Sequence, residues 1–198
     1  MRKLILKMNV SIDGFVAGSK GETDWIFLHS GPDSKAWSAR TTADAGVHIM
    51  GSRSYAGWAT YWPSSTDALF AAPMNEIPKV VFSRSGTTRA LEDAMRAVPP
   101  TKAGATWGQA RVASGDLREE IERLKGEPGR PIVAHGGATF ARSLVASGLI
   151  DEYQRAVHPV ALGQGLPLFA DLPKLLSLQV AETTTFASGV LARVLRPA

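Results

Sequence analysis

Pro131-Ile132-Val133-Ala134-His135-Gly136-Gly137-Ala138-Thr139 is the stretch that decides how this chain folds. An apolar run of strand length, Ile132 to His135, meets two glycines and then a helical pattern that places Phe140, Leu144 and Val145 on one face before Gly148 ends it. A second apolar run, 150–157, follows at once. Strand, helix, strand with glycines at the helix start is a βαβ unit, and its helix N-terminus offers free backbone N–H groups to an anion.

Two further segments repeat the junction: Val47-His48-Ile49-Met50 runs into Gly51-Ser52-Arg53-Ser54, and Val80-Val81-Phe82 runs into Ser83-Arg84. Glycine removes side-chain bulk, and arginine adds charge-assisted hydrogen bonds. Three such turns predict a multiply phosphorylated ligand, with a dinucleotide as the first candidate. The G-x-G-x-x-G fingerprint and the Walker lysine motif are both absent, so neither an ordinary Rossmann domain nor a P-loop is expected. Arg53 and Arg84 beside Ser54 and Ser83 read as phosphate contacts, and an added positive group is what selects a 2′-phosphorylated dinucleotide.

Residues 3–10 read as a further strand. Helices are expected over about 33–45, with Asp33 as a cap, and near Asp67–Met74, and a strand over Lys79–Phe82. A capped helix should start at Asp116, with Glu119 completing a capping box and Leu117, Ile121 and Leu124 on one face. Residues 85–108 carry Pro99-Pro100, Gly104 and Gly108 and read as an irregular excursion. The alternation of Leu176, Leu178 and Val180, then Val190, Ala192 and Val194, predicts two antiparallel strands around Ala187-Ser188-Gly189. The expected fold is α/β: a mixed, mostly parallel sheet flanked by helices, with an antiparallel C-terminal strand pair, in a single domain over 1–198.

Composition narrows the partners. The 198 residues carry a net charge of only +4, and Lys and Arg are scattered without interleaved aromatics, which favours an anionic small molecule over nucleic acid. Zero cysteines exclude disulfides and thiolate metal sites. The apolar start Leu4-Ile5-Leu6 is broken by Lys7, no stretch is long enough to span a bilayer, and the chain reads as cytoplasmic, without a membrane partner.

No G-x-S-x-G elbow is present for hydrolase chemistry, and His29, His48, His135 and His158 lack metal-ligand spacing, so no metal is expected. His48 and His135, inside apolar strands, read as core histidines. Asp13, in Ser11-Ile12-Asp13-Gly14, reads either as an Asp-Gly turn or as a carboxylate at the sheet's end that binds a polar heterocycle or delivers a proton. Trp25 reads either as a cover for the same pocket or as a core anchor.

Met8-Asn9-Val10-Ser11-Ile12-Asp13-Gly14-Phe15, Met50-Gly51-Ser52-Arg53-Ser54-Tyr55, Val81-Phe82-Ser83-Arg84, His135-Gly136-Gly137-Ala138, Gly148-Leu149-Ile150-Asp151-Glu152-Tyr153 and the 158–169 segment together resemble the reductase domain of riboflavin biosynthesis, in the dihydrofolate-reductase-like fold. The resemblance runs nearly end to end and is weakest over 85–108. It implies an NADPH-dependent oxidoreductase passing a hydride to a pyrimidine or pteridine-like substrate, most like 5-amino-6-(5-phosphoribosylamino)uracil reductase. It also implies a homodimer. Gly51, Arg53, Ser54, Gly136, Gly137, Ala138 and Thr139 match the family's phosphate sites, Ser83 and Arg84 the 2′-phosphate side, and Val16 and Ala17 the nicotinamide lining. Asn9, Asp13 and Trp25 fall in its substrate pocket, with Asp13 the catalytic candidate. Ser52 stands where the family usually has a basic residue, which lowers the expected preference for NADPH over NADH. Ser30 stands where true dihydrofolate reductases carry an acid, which points away from folate. A non-catalytic nucleotide-binding or ligand-sensing protein would retain the same cofactor residues.

Overall fold

A computed structural model describes residues 1–198. The elements run β1 (Leu4–Ser11), β2 (Phe15–Ala17), α1 (Pro32–Ala43), β3 (Val47–Gly51), α2 (Ser52–Tyr61), α3 (Ala71–Glu76), β4 (Lys79–Phe82), α4 (Arg89–Arg96), α5 (Ala105–Gly108), β5 (Arg111–Ala113), α6 (Leu117–Gly126), β6 (Ile132–His135), α7 (Ala138–Ser147), β7 (Glu152–His158), β8 (Leu166–Pro167), β9 (Leu178–Thr185) and β10 (Leu191–Pro197). Eight strands form one sheet in the order β5-β4-β3-β6-β1-β7-β10-β9. Neighbours from β5 through β7 are parallel, and β10 and β9 add the antiparallel edge. That is the expected architecture, and β6–α7–β7 is the expected unit, although β1 lies between its two strands.

The fully parallel strands explain the unbroken apolar runs in the sequence. Helices cover both faces of such a sheet, so Val47–Met50 and Ile132–His135 are buried at every position. The largest core cluster joins Leu4, Leu6, Ile49, Ile132 and Ala134 of the strands to Ile121 and Leu124 of α6 and Leu144 of α7. α6 begins at the expected cap, where the Asp116 carboxylate accepts from the Arg118 and Glu119 N–H groups, but the Glu119 side chain does not close the expected capping box. At α1 the cap is Gly31, followed by Pro32, and Asp33 falls within the first turn.

The 85–108 segment is not irregular. It holds α4, capped by the Thr88 hydroxyl, and α5, and it closes a second core around Met50, Tyr55, Met74, Val81, Leu91 and Trp107. Pro99, Pro100 and Gly104 form the turn between the two helices. A Cβ on Gly104 would stand 2.0 Å from the Pro99 carbonyl oxygen, so no other residue fits there. The sequence also gave no signal for β5, or for the β2–β8 pair, which has two or three residues a side.

Candidate functional site

A cleft of about 650 Å³ opens at the carboxyl ends of β1, β3, β4 and β6. This is where ligands bind in open parallel sheets, and the volume lies within the range of ligand pockets. The strand order β4-β3-β6-β1 brings the three anion-type turns side by side. Gly51, Arg53 and Ser54 enter from β3 and the first turn of α2, Ser83 and Arg84 follow β4, and Gly136, Gly137, Ala138 and Thr139 lead from β6 into α7. Val16 and Ala17 of β2 and Asn9 of β1 complete the far wall.

The turns are stitched together. The Gly137 N–H donates to Ser54 Oγ at 2.8 Å, and a Cβ on Gly137 would meet that oxygen at 2.9 Å. A side chain at Gly137 would push Ser54 Oγ out of this bond. α2 and α7 each have ten residues and start at the cleft, so their first-turn N–H groups and positive dipole ends face it. Arg53 and Arg84 are exposed and make no ion pair or hydrogen bond within the protein, leaving both forks for an anion. A phosphorylated dinucleotide fits this donor set.

Asp13 and Trp25 are placed differently. Asp13 does not line the cleft. Its carboxylate accepts from Ser11 Oγ at 2.6 Å, Leu162 N–H at 3.0 Å and Gly163 N–H at 2.8 Å. The Ser11 hydroxyl, with the two backbone donors, holds it below the usual carboxylate range. The expected proton donor is thus an anionic clasp fastening the 162–163 loop to the end of β1. Trp25 is buried edge-on against His158, with ring centroids 5.5 Å apart, and the cleft is lined instead by its neighbours Thr23 and Ile26. Trp25 therefore acts as a core anchor. Behind the wall, His158 Nε2 lies 3.0 Å from Asn9 Oδ1 and orients that amide.

The structure adds Lys7 and Trp58, which the sequence did not single out, and brings His135, read there as a core histidine, to the cleft. Lys7, Trp58 and His135 line the cleft floor. Burial lowers the Lys7 ammonium to about 8. His135 Nε2 lies 2.9 Å from His48 Nδ1, and His48 Nε2 lies 3.2 Å from the Pro73 carbonyl oxygen. Burial, reinforced by the ammonium groups of Lys79 and Lys7, pulls His48 to about 3. Burial, then His48 and the same lysines, holds His135 well below its ordinary value. The only available signal was a lysine and two histidines at inward-facing positions of apolar strands. No group of acidic, histidine or cysteine side chains is arranged to hold a metal ion.

This chain belongs to the RibD C-terminal domain family, whose model matches residues 2–192. It is similar to the protein YyaP of Bacillus subtilis strain 168, at 31% identity over 194 residues, covering 96% of this chain and 92% of that one. Among solved structures, a putative riboflavin biosynthesis protein from Shewanella sp. PV-4 superposes with a TM-score of 0.71 at 21% identity, covering 99% of both chains. Dihydrofolate reductase from Enterococcus faecalis, complexed with NADP(H), gives a TM-score of 0.59 at 11% identity over 98% of this chain and 96% of that one. The fold is accordingly dihydrofolate-reductase-like. No helix is long and apolar enough to cross a membrane.

Proposed function

We propose that this chain is an NADPH-dependent reductase that passes a hydride to a pyrimidine or pteridine-like substrate, the chemistry of 5-amino-6-(5-phosphoribosylamino)uracil reduction. The observation that carries this reading is the convergence of the three anion-type turns, with two unpaired arginines, in one cleft beside Val16, Ala17 and Asn9. NADPH, when bound, supplies the hydride. The first turns of α2 and α7 and Arg53 hold the pyrophosphate, Ser83 and Arg84 hold the 2′-phosphate, and Val16 and Ala17 back the nicotinamide. The substrate lies between that ring and the floor formed by Asn9, Lys7 and His135. Asp13 holds the neighbouring loop and takes no part in proton transfer.

The test is turnover. Steady NADPH oxidation with at least one member of a panel of pyrimidines, pterins and quinone-like acceptors is the expected result. Tight NADPH binding without oxidation across the panel would replace the enzyme with a nucleotide-binding sensor.

A further inference from the structure

The paired histidines beneath the cleft are more than core packing, because their hydrogen bonds fix where each proton sits. A carbonyl oxygen can only accept, so the 3.2 Å contact to Pro73 requires the proton of His48 on Nε2. A neutral His48 then has a lone pair on Nδ1, and the 2.9 Å contact to His135 requires the proton of His135 on Nε2. Both rings are held neutral: Lys7 of β1 and Lys79 of β4 are the charged groups facing them, and no carboxylate bonds to either. What remains is His135 Nδ1, a bare acceptor. It makes no hydrogen bond within the protein, yet it is not sealed from solvent, and its ring lines the cleft.

Beside it stands a donor. Lys7 and His135 are register partners on adjacent parallel strands, so their side chains leave the sheet on the same face. The Lys7 ammonium has no hydrogen-bond partner in the protein and sits 5.6 Å from the centroid of the Phe70 ring. A cation donor next to a neutral acceptor is complementary to a lactam edge, a carbonyl beside a ring N–H. We infer that His135 is a specificity-determining residue that accepts from the N–H of such an edge while Lys7 donates to its carbonyl, and that His48 is the positioning residue that fixes the His135 tautomer. The substrate class is a heterocycle with an unalkylated lactam edge. The inference rests on the reductase reading for the substrate's place in this cleft, but the proton positions do not depend on it.

Two measurements test this. Long-range ¹H–¹⁵N correlation spectra of the labelled protein should show both histidines neutral and protonated on Nε2 between about pH 6 and pH 8. In equilibrium binding, 5-aminouracil should outcompete its N3-methyl derivative by about tenfold or more, because methylation leaves the buried acceptor unpaired. His48→Leu should abolish that discrimination. His48→Gln, whose side-chain oxygen still accepts from His135 Nε2–H, should restore it. A proton on His135 Nδ1, an imidazolium at either position, equal binding of the two probes, or no binding of either would overturn the inference. NADPH affinity should be the same in both His48 variants and the wild type. A wild type that binds no NADPH defeats the reductase reading instead, and the spectra still report the tautomers.

Discussion

Arg84 and Arg53 are alike in exposure and in lacking partners, but they follow different strands, and the proposed reading gives them different work. Arg84→Ala should weaken NADPH binding by about 1.5–3 kcal/mol, the range for hydrogen bonds to charged groups, and leave NADH nearly unchanged. Arg53→Ala should weaken both nucleotides alike. Titrating each variant with both cofactors distinguishes the roles. At Asp13 the expected effect is on the loop. Asp13→Ala should speed amide exchange of Leu162 and Gly163 in hydrogen-exchange measurements while leaving the rate of NADPH oxidation within about twofold, since it removes a clasp rather than a proton donor. The histidines set the pH response. Burial lowers His48 to about 3 and His158 to about 4. The unfolded chain therefore binds more protons below pH ~6.5, so the stabilisation from neutral burial is complete above that value and is lost as pH falls towards the folded values, at about 1.4 kcal/mol per pH unit for each histidine. Urea unfolding between pH 7 and pH 4.5 should show this slope, and it should flatten in His48→Gln.

At the scale of elements, the sequence was legible where chemistry and periodicity coincided. Ile132–His135 with its double glycine and the Asp116 cap appear where their patterns placed them, and the C-terminal antiparallel pair forms around Ala187-Ser188-Gly189, although Leu176 and Val190 lie outside its strands and Val180 is exposed. Short or tertiary-dictated pieces left no pattern. The two or three residues a side of β2 and β8 are too few to show a period. α4 does present a short stripe, Leu91, Ala94 and Met95 with Val98 just beyond it, but it lasts only eight residues before Pro99-Pro100 interrupts the period, and α5 is one turn around Trp107. The site was half legible for a similar reason. Glycine and arginine at strand ends announce anion binding, but Lys7 reads as an interruption of a strand, and only the β1–β6 register brings it beside His135. The second core offers a direct check on the corrected segment. Tyr55 Oη donates to the Trp107 carbonyl at 2.6 Å inside that cluster. Tyr55→Phe should cost about 1–3 kcal/mol of unfolding free energy, because it strands a buried acceptor, and a change below about 0.3 kcal/mol would argue that the α5 turn does not dock there.

Across the whole molecule, the six parallel strands carry the cleft and the antiparallel pair forms a separate edge. β9 is that edge. Nearly every residue from Gln179 to Thr185 is exposed, including Val180, so its unpaired backbone and β-branched side chains need a cover. We propose that a homodimer paired through β9 supplies one. Sedimentation equilibrium at micromolar concentration should give twice the chain mass, and Val180→Lys should shift it towards the monomer. The central claim, however, concerns the cleft. Calorimetric titration with NADPH tests it most directly: the account predicts saturable binding at one site per chain, weakened selectively over NADH in Arg84→Ala. No binding to the wild type, or equal losses for the two nucleotides in that variant, would contradict it.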